Sequence, residues 1–509
     1  MITHLFSAST LGTDAYLVEI EVDVSGGLPG ISVVGLPDEA VKESKDRVKS
    51  AIKNSGYEYP AGKITVNLAP ADIKKEGSCF DVAIALGILV SSNQIPREIL
   101  DNFVFLGELS LDGRLRKVAG VLPAALYLRK ENLPKKIIVP WENAYEAGMV
   151  KEIEVYPVDN LKELVYLLSN FLEKKPLRVS PHELVKKRDY DVDFSEVKGQ
   201  SQAKRAIEVA VAGMHNILLI GPPGAGKTML AKRIPTILPE MSEEEIFETT
   251  KIYSIAGLLN KEFPLITTRP FRMVHHTASD IALIGGGQNP KPGEVSLAHN
   301  GVLFLDELPE FHRDVLEALR QPLEDGKVTV ARANRTITFL SKFLLIGAMN
   351  PCYCGYYTSS LRACRCSASQ IQRYRSKISG PLLERIDLHI QVPELKYKAL
   401  LEKKEEEPSS VIRKRTEKAL KIQRERFQDT NIFFNSQMNT RLIKKFCILE
   451  SSAEKIFDMA LQEMNLSCRS YDRILKVSRT IADLAGSELI KAEHILEAIQ
   501  YRSLDREFF

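Results

Sequence analysis

The chain has 509 residues, enough for three or so domains, and its 44% hydrophobic and 27% charged content is that of a folded globular protein rather than a disordered or fibrous one. A net charge of +3 excludes a uniformly basic nucleic-acid binder, so any such surface has to come from local clustering or from one patch repeated around an oligomer. Residues Met1 to Thr10 carry no basic segment leading into an apolar run, and the apolar stretch Val82 to Val90 is half a membrane span, so a cytoplasmic protein with no membrane partner is expected.

The first stretch alternates short apolar strands, near Tyr16–Val24, Gly30–Gly35, Ile64–Leu68 and Lys136–Pro140, with helical patterns at Asp38–Asn54, Phe80–Ser91 and Val121–Arg129. This predicts an α/β domain over residues 1–172. Within it, Lys75 to Asp81 followed by an apolar helix, and Leu106 to Pro123, resemble the proteolytic domain of Lon proteases. That resemblance puts Cys79 where Lon has its nucleophilic serine and Leu122 where Lon has its lysine base. An aliphatic side chain takes no proton, so a non-proteolytic scaffold is expected. A charged, proline-containing stretch over 173–192 lacks core periodicity and reads as a linker.

The next domain announces itself by chemistry. The apolar run Ile217 to Ile220 leads into Gly221-Pro222-Pro223-Gly224-Ala225-Gly226-Lys227-Thr228, the spacing of a phosphate-binding loop between a strand and a helix. Backbone N–H groups close around phosphates, Lys227 reaches the β- and γ-phosphates, and Thr228 ligates Mg²⁺. The cofactors are thus ATP and Mg²⁺. Downstream, Leu303-Phe304-Leu305 runs into Asp306 and Glu307, a buried strand delivering two carboxylates; Asp306 suits the Mg²⁺ and Glu307 the attacking water. Phe343 to Met349 is another buried strand, ending in Asn350, which is placed to orient that water. Arg385, in Gly380-Pro-Leu-Leu-Glu-Arg-Ile-Asp387, either reaches the γ-phosphate of a neighbouring subunit or pairs with Glu384 or Asp387 at the surface.

Taken together, these segments resemble the AAA+ ATPases of the magnesium-chelatase branch. The stretches Arg269 to Ser279, Gly285 to Gly287, Pro292 to His299 and Asn350 to Gly355 are similar to the ComM/YifB family, and the match covers essentially the whole chain. The resemblance implies an α/β fold overall: a Lon-protease-like N-terminal domain, an AAA+ P-loop core over 193–395 and a helical C-terminal lid over 396–509. It implies a hexameric ring with Arg385 as arginine finger. It also implies a phosphate-sensing arginine in the lid, Arg469, with Arg473 as the alternative one helical turn away. The expected activity is that of a DNA motor acting on single-stranded and branched DNA, a branch-migration helicase in recombination during natural transformation, with recombination proteins as possible partners. A chelatase-like ATPase that remodels a protein partner is the alternative; the N-terminal domain and the cysteine cluster described next argue against it. A protease is argued against by Leu122.

Two segments are candidates for DNA contact: an insertion over Ile255 to Glu294, expected to face the ring pore, and a hairpin-like stretch carrying Lys327, Arg332 and Arg335. His275 and His276, neighbours expected on opposite faces of a strand, read as packing or loop hydrogen-bonding groups rather than metal ligands. Four of the seven cysteines, Cys352, Cys354, Cys364 and Cys366, fall in fifteen residues, which suits a structural zinc ion, with reduced unliganded thiols as the alternative.

Overall fold

The computed structural model describes residues 2–75, 77–100, 102–130, 133–171, 174–180, 190–260, 264–287, 290–332, 335–394, 406–430, 432–464 and 468–504; within these, the side chains at 99, 332, 335, 462–464, 468 and 469 are outside the description.

Residues 3–169 build a seven-stranded mixed sheet. Strands β1 (Thr3–Leu11) and β2 (Asp14–Ser25) form an antiparallel hairpin at its middle. β4 (Lys63–Ala69) and β3 (Gly30–Val34) extend it on one side, and β5 (Phe103–Phe105), β8 (Lys136–Pro140) and β9 (Glu154–Val158) on the other. A small ribbon of β6 (Glu108–Leu109) and β7 (Leu115–Arg116) lies apart. Helix α1 (Glu39–Asn54) starts at Asp38, whose side chain accepts from Val41 N at 2.8 Å, and turns Val41, Val48, Ala51 and Ile52 inward. Helix α2 (Asp81–Ser91) is apolar all round and every residue in it is buried. Asp81, at its start, is neutralised by Arg47 at 2.9 Å. Helices α3 (Val121–Tyr127), α4 (Ala144–Gly148) and α5 (Leu161–Ser169) complete this unit. Pro176–Ser180, read as linker from sequence, packs on it: Leu177 bridges Val155, and Val179 N donates to Gly148 O at 3.0 Å.

The second sheet has five strands, all parallel, in the order β11 (Phe271–Val274), β14 (Val302–Leu305), β17 (Leu344–Met349), β10 (Ile217–Ile220), β18 (Leu388–Gln391). The middle three are buried throughout, which is why they read as unbroken apolar runs. Helix α6 (Ser201–Gly213) precedes β10, α7 (Lys227–Arg233) follows it, and α8 (Glu243–Ala256) begins with a capping box from Ser242 and Glu245. The segment expected as one insertion from Ile255 to Glu294 is divided: Phe271–Val274 is an edge strand of the core, its polar Arg272 and exposed Met273 disguising it. After it come α9 (Asp280–Ile284), the ribbon β12 (Gly285–Gly286) with β13 (Lys291–Pro292), and α10 (Glu294–Leu297), the last packed into the core through Val295. Helices α11 (Arg313–Ala318) and α12 (Arg320–Asp325) lead to an antiparallel hairpin of β15 (Lys327–Arg332) and β16 (Arg335–Leu340), whose register pairs Arg332 with Arg335. Helices α13 (Ala368–Arg375) and α14 (Gly380–Leu383) precede β18.

The tail forms helices Ser409–Arg426, Thr440–Phe446, Ser451–Met464, Cys468–Ala485 and Ala492–Gln500. They share one continuous apolar cluster with the second sheet, from Phe194 through Ile217 and Phe304 to Ile474 and Tyr501. The N-terminal unit is joined to this body through α3 and α8: Gly120 N donates to Ser254 O at 3.0 Å and Lys117 Nζ to Leu259 O at 3.1 Å. Met149 packs on Met241, Ile246 and Leu265. No helix among the described residues is long and apolar enough to cross a membrane.

Candidate active site

The loop Gly221–Gly226 leaves β10 at the C-terminal edge of the parallel sheet and opens α7, with Gly226 at φ +92° as the residue that turns the chain into the helix. Lys227 Nζ donates to the carbonyl oxygens of Gly221 (2.7 Å) and Pro222 (3.0 Å) and to Asn350 Oδ1 (3.1 Å). Burial pushes the Lys227 ammonium down to about 8, against the pull of Asp306 and Glu307. Thr228 Oγ1 donates to Asp306 Oδ2 at 2.7 Å, so the hydroxyl and carboxylate that could share a Mg²⁺ already face each other. Parallel neighbours explain the convergence: β14 and β10 flank β17, so Asp306, Lys227 and Asn350 emerge side by side at one sheet edge.

Glu307 lies one residue past the strand in the left-handed region, φ +53°, an uncommon conformation for a glutamate and one that concentrates at functional sites. Its side chain is over half exposed, and His276 Nδ1 stands 3.3 Å from its Oε2. The histidine pair hydrogen-bonds within its loop as expected, but not from a strand. Both residues follow β11 rather than lying in it, their ring centroids are 4.1 Å apart, His275 bonds the Thr277 hydroxyl, and His276 addresses Glu307.

Sequence reasoning also passed over Gln200. Held at φ +56° ahead of α6, it donates to Ala225 O at 3.2 Å and to Pro393 O at 2.7 Å, tying the phosphate loop to the end of β18. The Gly199-Gln200 pair before a helix is its only local signal.

Among the described residues, Arg385 lies away from its own chain's phosphate loop. It pairs with Glu324 and donates to Pro381 O at 2.6 Å. Arg385, Arg473, Lys476 and Lys342 line a cavity of about 550 Å³ whose walls include no residue of Gly221–Thr228. Arg385 Nε and Arg473 Nη1 are buried there with no hydrogen-bond partner among the described residues. Asp387 divides the charges: Arg473 Nε is 3.8 Å away, and His215 bridges Asp387 (3.3 Å) to Thr480 of the tail (2.8 Å). Burial alone would raise the Asp387 carboxyl, but the His215 hydrogen bond and the Arg473 charge hold it at about 2. The side chain of Arg469 lies outside the described residues, as do those of Arg332 and Arg335; Lys327 is exposed.

The sulfur atoms of Cys352, Cys354, Cys364 and Cys366 all lie within 4.8 Å of one another, a donor set that could hold one tetrahedral metal ion. In the first unit, Cys79 and Leu122 meet in the same apolar cluster, with Leu122 fully buried. Burial pushes the Cys79 thiol up to about 12, and its Sγ faces Ala8 O at 3.7 Å, a setting that disfavours the nucleophilic thiolate.

A strand, glycine-rich loop and helix beside a strand ending in two carboxylates, in a five-stranded parallel sheet with a helical lid, define a P-loop ATPase of the AAA+ class. Family models match the chain in three stretches: magnesium chelatase, subunit ChlI over residues 193–400; subunit ChlI of Mg-chelatase over 20–143; and the C-terminal part of that subunit over 406–502. The chain is 46% identical over 511 residues to the competence protein ComM of Haemophilus influenzae, covering 99% of this chain and 97% of the relative. It is 44% identical to the uncharacterized protein YifB of Escherichia coli, covering 98% and 96%. It is 27% identical over 182 residues to Lon protease 2 of Bacillus subtilis, about a third of each chain. The chain belongs to the ComM/YifB family of magnesium-chelatase-like AAA+ ATPases. The match over 20–143 carries the chelatase subunit's name as well.

Proposed function

We propose that this chain is the subunit of a cytoplasmic, hexameric DNA motor that uses ATP to migrate branched DNA during recombination, including the integration of incoming single strands in natural transformation. The observation that carries the reading is similarity over 99% of the chain to a competence protein, joined to a complete set of nucleotide-handling residues. Gly221 to Gly226 and Lys227 hold the phosphates, and Thr228 and Asp306 hold Mg²⁺. Glu307 activates the water that Asn350 orients. Arg385 acts on the nucleotide of the next subunit. A lid arginine joins it: Arg469, or Arg473 one helical turn away, which lines the same cavity as Arg385. The β15–β16 hairpin, with Lys327, Arg332 and Arg335, meets DNA phosphates once per subunit. A structural zinc ion sits in the four-cysteine cluster.

The test is ATP-dependent conversion of a labelled branched DNA by wild type and Glu307→Gln. Turnover by wild type alone supports the motor. ATP hydrolysis that proceeds without moving the junction across a range of salt turns the reading toward the second one, an ATPase that remodels a protein, which the three chelatase-subunit matches favour.

A further inference from the structure

We propose that the segment 352–366 is a zinc-held brace of the nucleotide site, so that zinc occupancy and ATP affinity depend on each other. The inference rests on the ATPase reading and on zinc as the metal of the cysteine cluster, and goes beyond both by assigning the metal a function in ATP binding.

The sulfurs are spaced for a metal. Cys352 to Cys354, Cys352 to Cys364 and Cys354 to Cys364 are 3.4, 3.7 and 3.5 Å apart. Zinc–sulfur bonds of about 2.3 Å give a tetrahedron with edges of about 3.8 Å. Backbone N–H groups are turned toward the sulfurs, Cys354 N to Cys366 Sγ and Cys366 N to Cys364 Sγ, each at 3.4 Å, which is how a protein stabilises thiolate ligands and fixes their orientation. Cys352 is fully buried.

The same segment is wedged against the ATP site on three sides. Cys352 comes two residues after Asn350, the acceptor of Lys227 Nζ, so the first ligand pair anchors the end of β17. Gly355, at φ +83°, passes so close to the phosphate loop that a Cβ there would lie 2.7 Å from Pro223 Cδ. Ser359 Oγ donates to Glu394 Oε2 at 2.7 Å, next to Pro393, whose carbonyl receives Gln200. The chain from 352 to 366 contains no helix or strand of its own, so an ion gripping both ends is what closes it into a fixed shape. When the metal leaves, Pro223 and Asn350 lose their backing. By linkage, a nucleotide that needs them in place must in turn tighten the hold on the metal.

The experiment is metal analysis of the full-length protein, followed by zinc release to a chromogenic chelator with and without Mg-ATP, in the Glu307→Gln background so that nucleotide is not consumed. The expected result is one zinc per chain, with release slowed about fivefold or more by Mg-ATP and no slowing when Lys227→Ala is added. Gly355→Ala keeps all four cysteines and tests the brace where cysteine variants fail to fold: it should retain its zinc yet bind a fluorescent ATP analogue about fivefold more weakly. One zinc per chain with nucleotide bound, but release indifferent to ATP and Gly355→Ala binding normally, overturns the coupling. Protein that folds and binds nucleotide with no metal overturns the site. Zinc without any nucleotide binding would instead defeat the ATPase reading on which the inference stands.

Discussion

His276 lies beside Glu307 because the parallel register of β11 and β14 sets Val274 opposite Leu305, and two further residues on each side bring the imidazole Nδ1 to 3.3 Å from the carboxylate. The histidine also begins the segment that leads through the largely exposed α9 to the glycine ribbon. A ligand that moved this segment would free the glutamate. His276→Ala should therefore raise ATP hydrolysis without DNA by up to roughly fivefold, the worth of a partly exposed ion pair of at most about 1 kcal/mol, and shrink any stimulation by DNA. Steady-state assays with and without DNA check it; an unchanged or lower basal rate would refute it.

Lys227 sits near 8 in the nucleotide-free protein because burial disfavours its charge, whereas bound phosphates favour it. ATP binding should then draw a proton from solution around pH 8 and almost none at pH 6.5, where the ammonium is already charged. Calorimetry at pH 8 in buffers of different ionisation enthalpy should give a slope of roughly half a proton taken up. A zero or negative slope at pH 8 would contradict the buried-lysine account.

Glu146 is buried beneath the joint between the first unit and the ATPase body, where it accepts from Leu122 N at 3.2 Å and Asn143 Nδ2 at 2.6 Å. Burial raises its carboxyl to about 7. A folded-state value above the ordinary 4.3 or so gives stability that is present at low pH and lost as pH rises through 7. Between pH 5 and 8 the wild type should lose about 3 kcal/mol relative to Glu146→Gln, whose amide keeps the shape without the charge. Denaturant unfolding at both pH values measures the difference. A gap between the two proteins that is independent of pH would show that the carboxyl is not held protonated.

Arg385 is paired with Glu324 and faces a cavity remote from its own phosphate loop. Arg385→Ala should bind ATP normally and hydrolyse it about 10³-fold more slowly. Mixed with the equally inactive Lys227→Ala, it should recover activity, because a Lys227→Ala subunit supplies its intact arginine to a neighbour's intact loop. A mixture no more active than its parts would place the arginine in its own chain's site.

Much of this site was legible because its parts are local. A phosphate loop, a strand ending in Asp306 and Glu307, and a strand ending in Asn350 each write their geometry into consecutive residues. Leu122 in place of a base and the clustered cysteines were readable for the same reason. Pairings set by strand register or by distant packing were not: nothing near Gln200 mentions Pro393, and nothing near His276 mentions Glu307. Edge strands were the weak point of the fold, since Phe271–Val274 mixes apolar with polar residues and was taken for part of an insertion. In the lid, Arg469 and Arg473 lie one helical turn apart, and a sequence pattern alone does not choose between them; Arg473 lines the cavity that Arg385 also lines.

The most direct test of the proposed motor function is ATP hydrolysis by the wild-type protein titrated with branched DNA while migration of the junction is followed in the same tube, with Glu307→Gln and Arg385→Ala alongside. The account predicts hydrolysis that rises with DNA, junctions that move only with ATP, and loss of both in either variant. Hydrolysis indifferent to DNA, with every junction left intact, would contradict it.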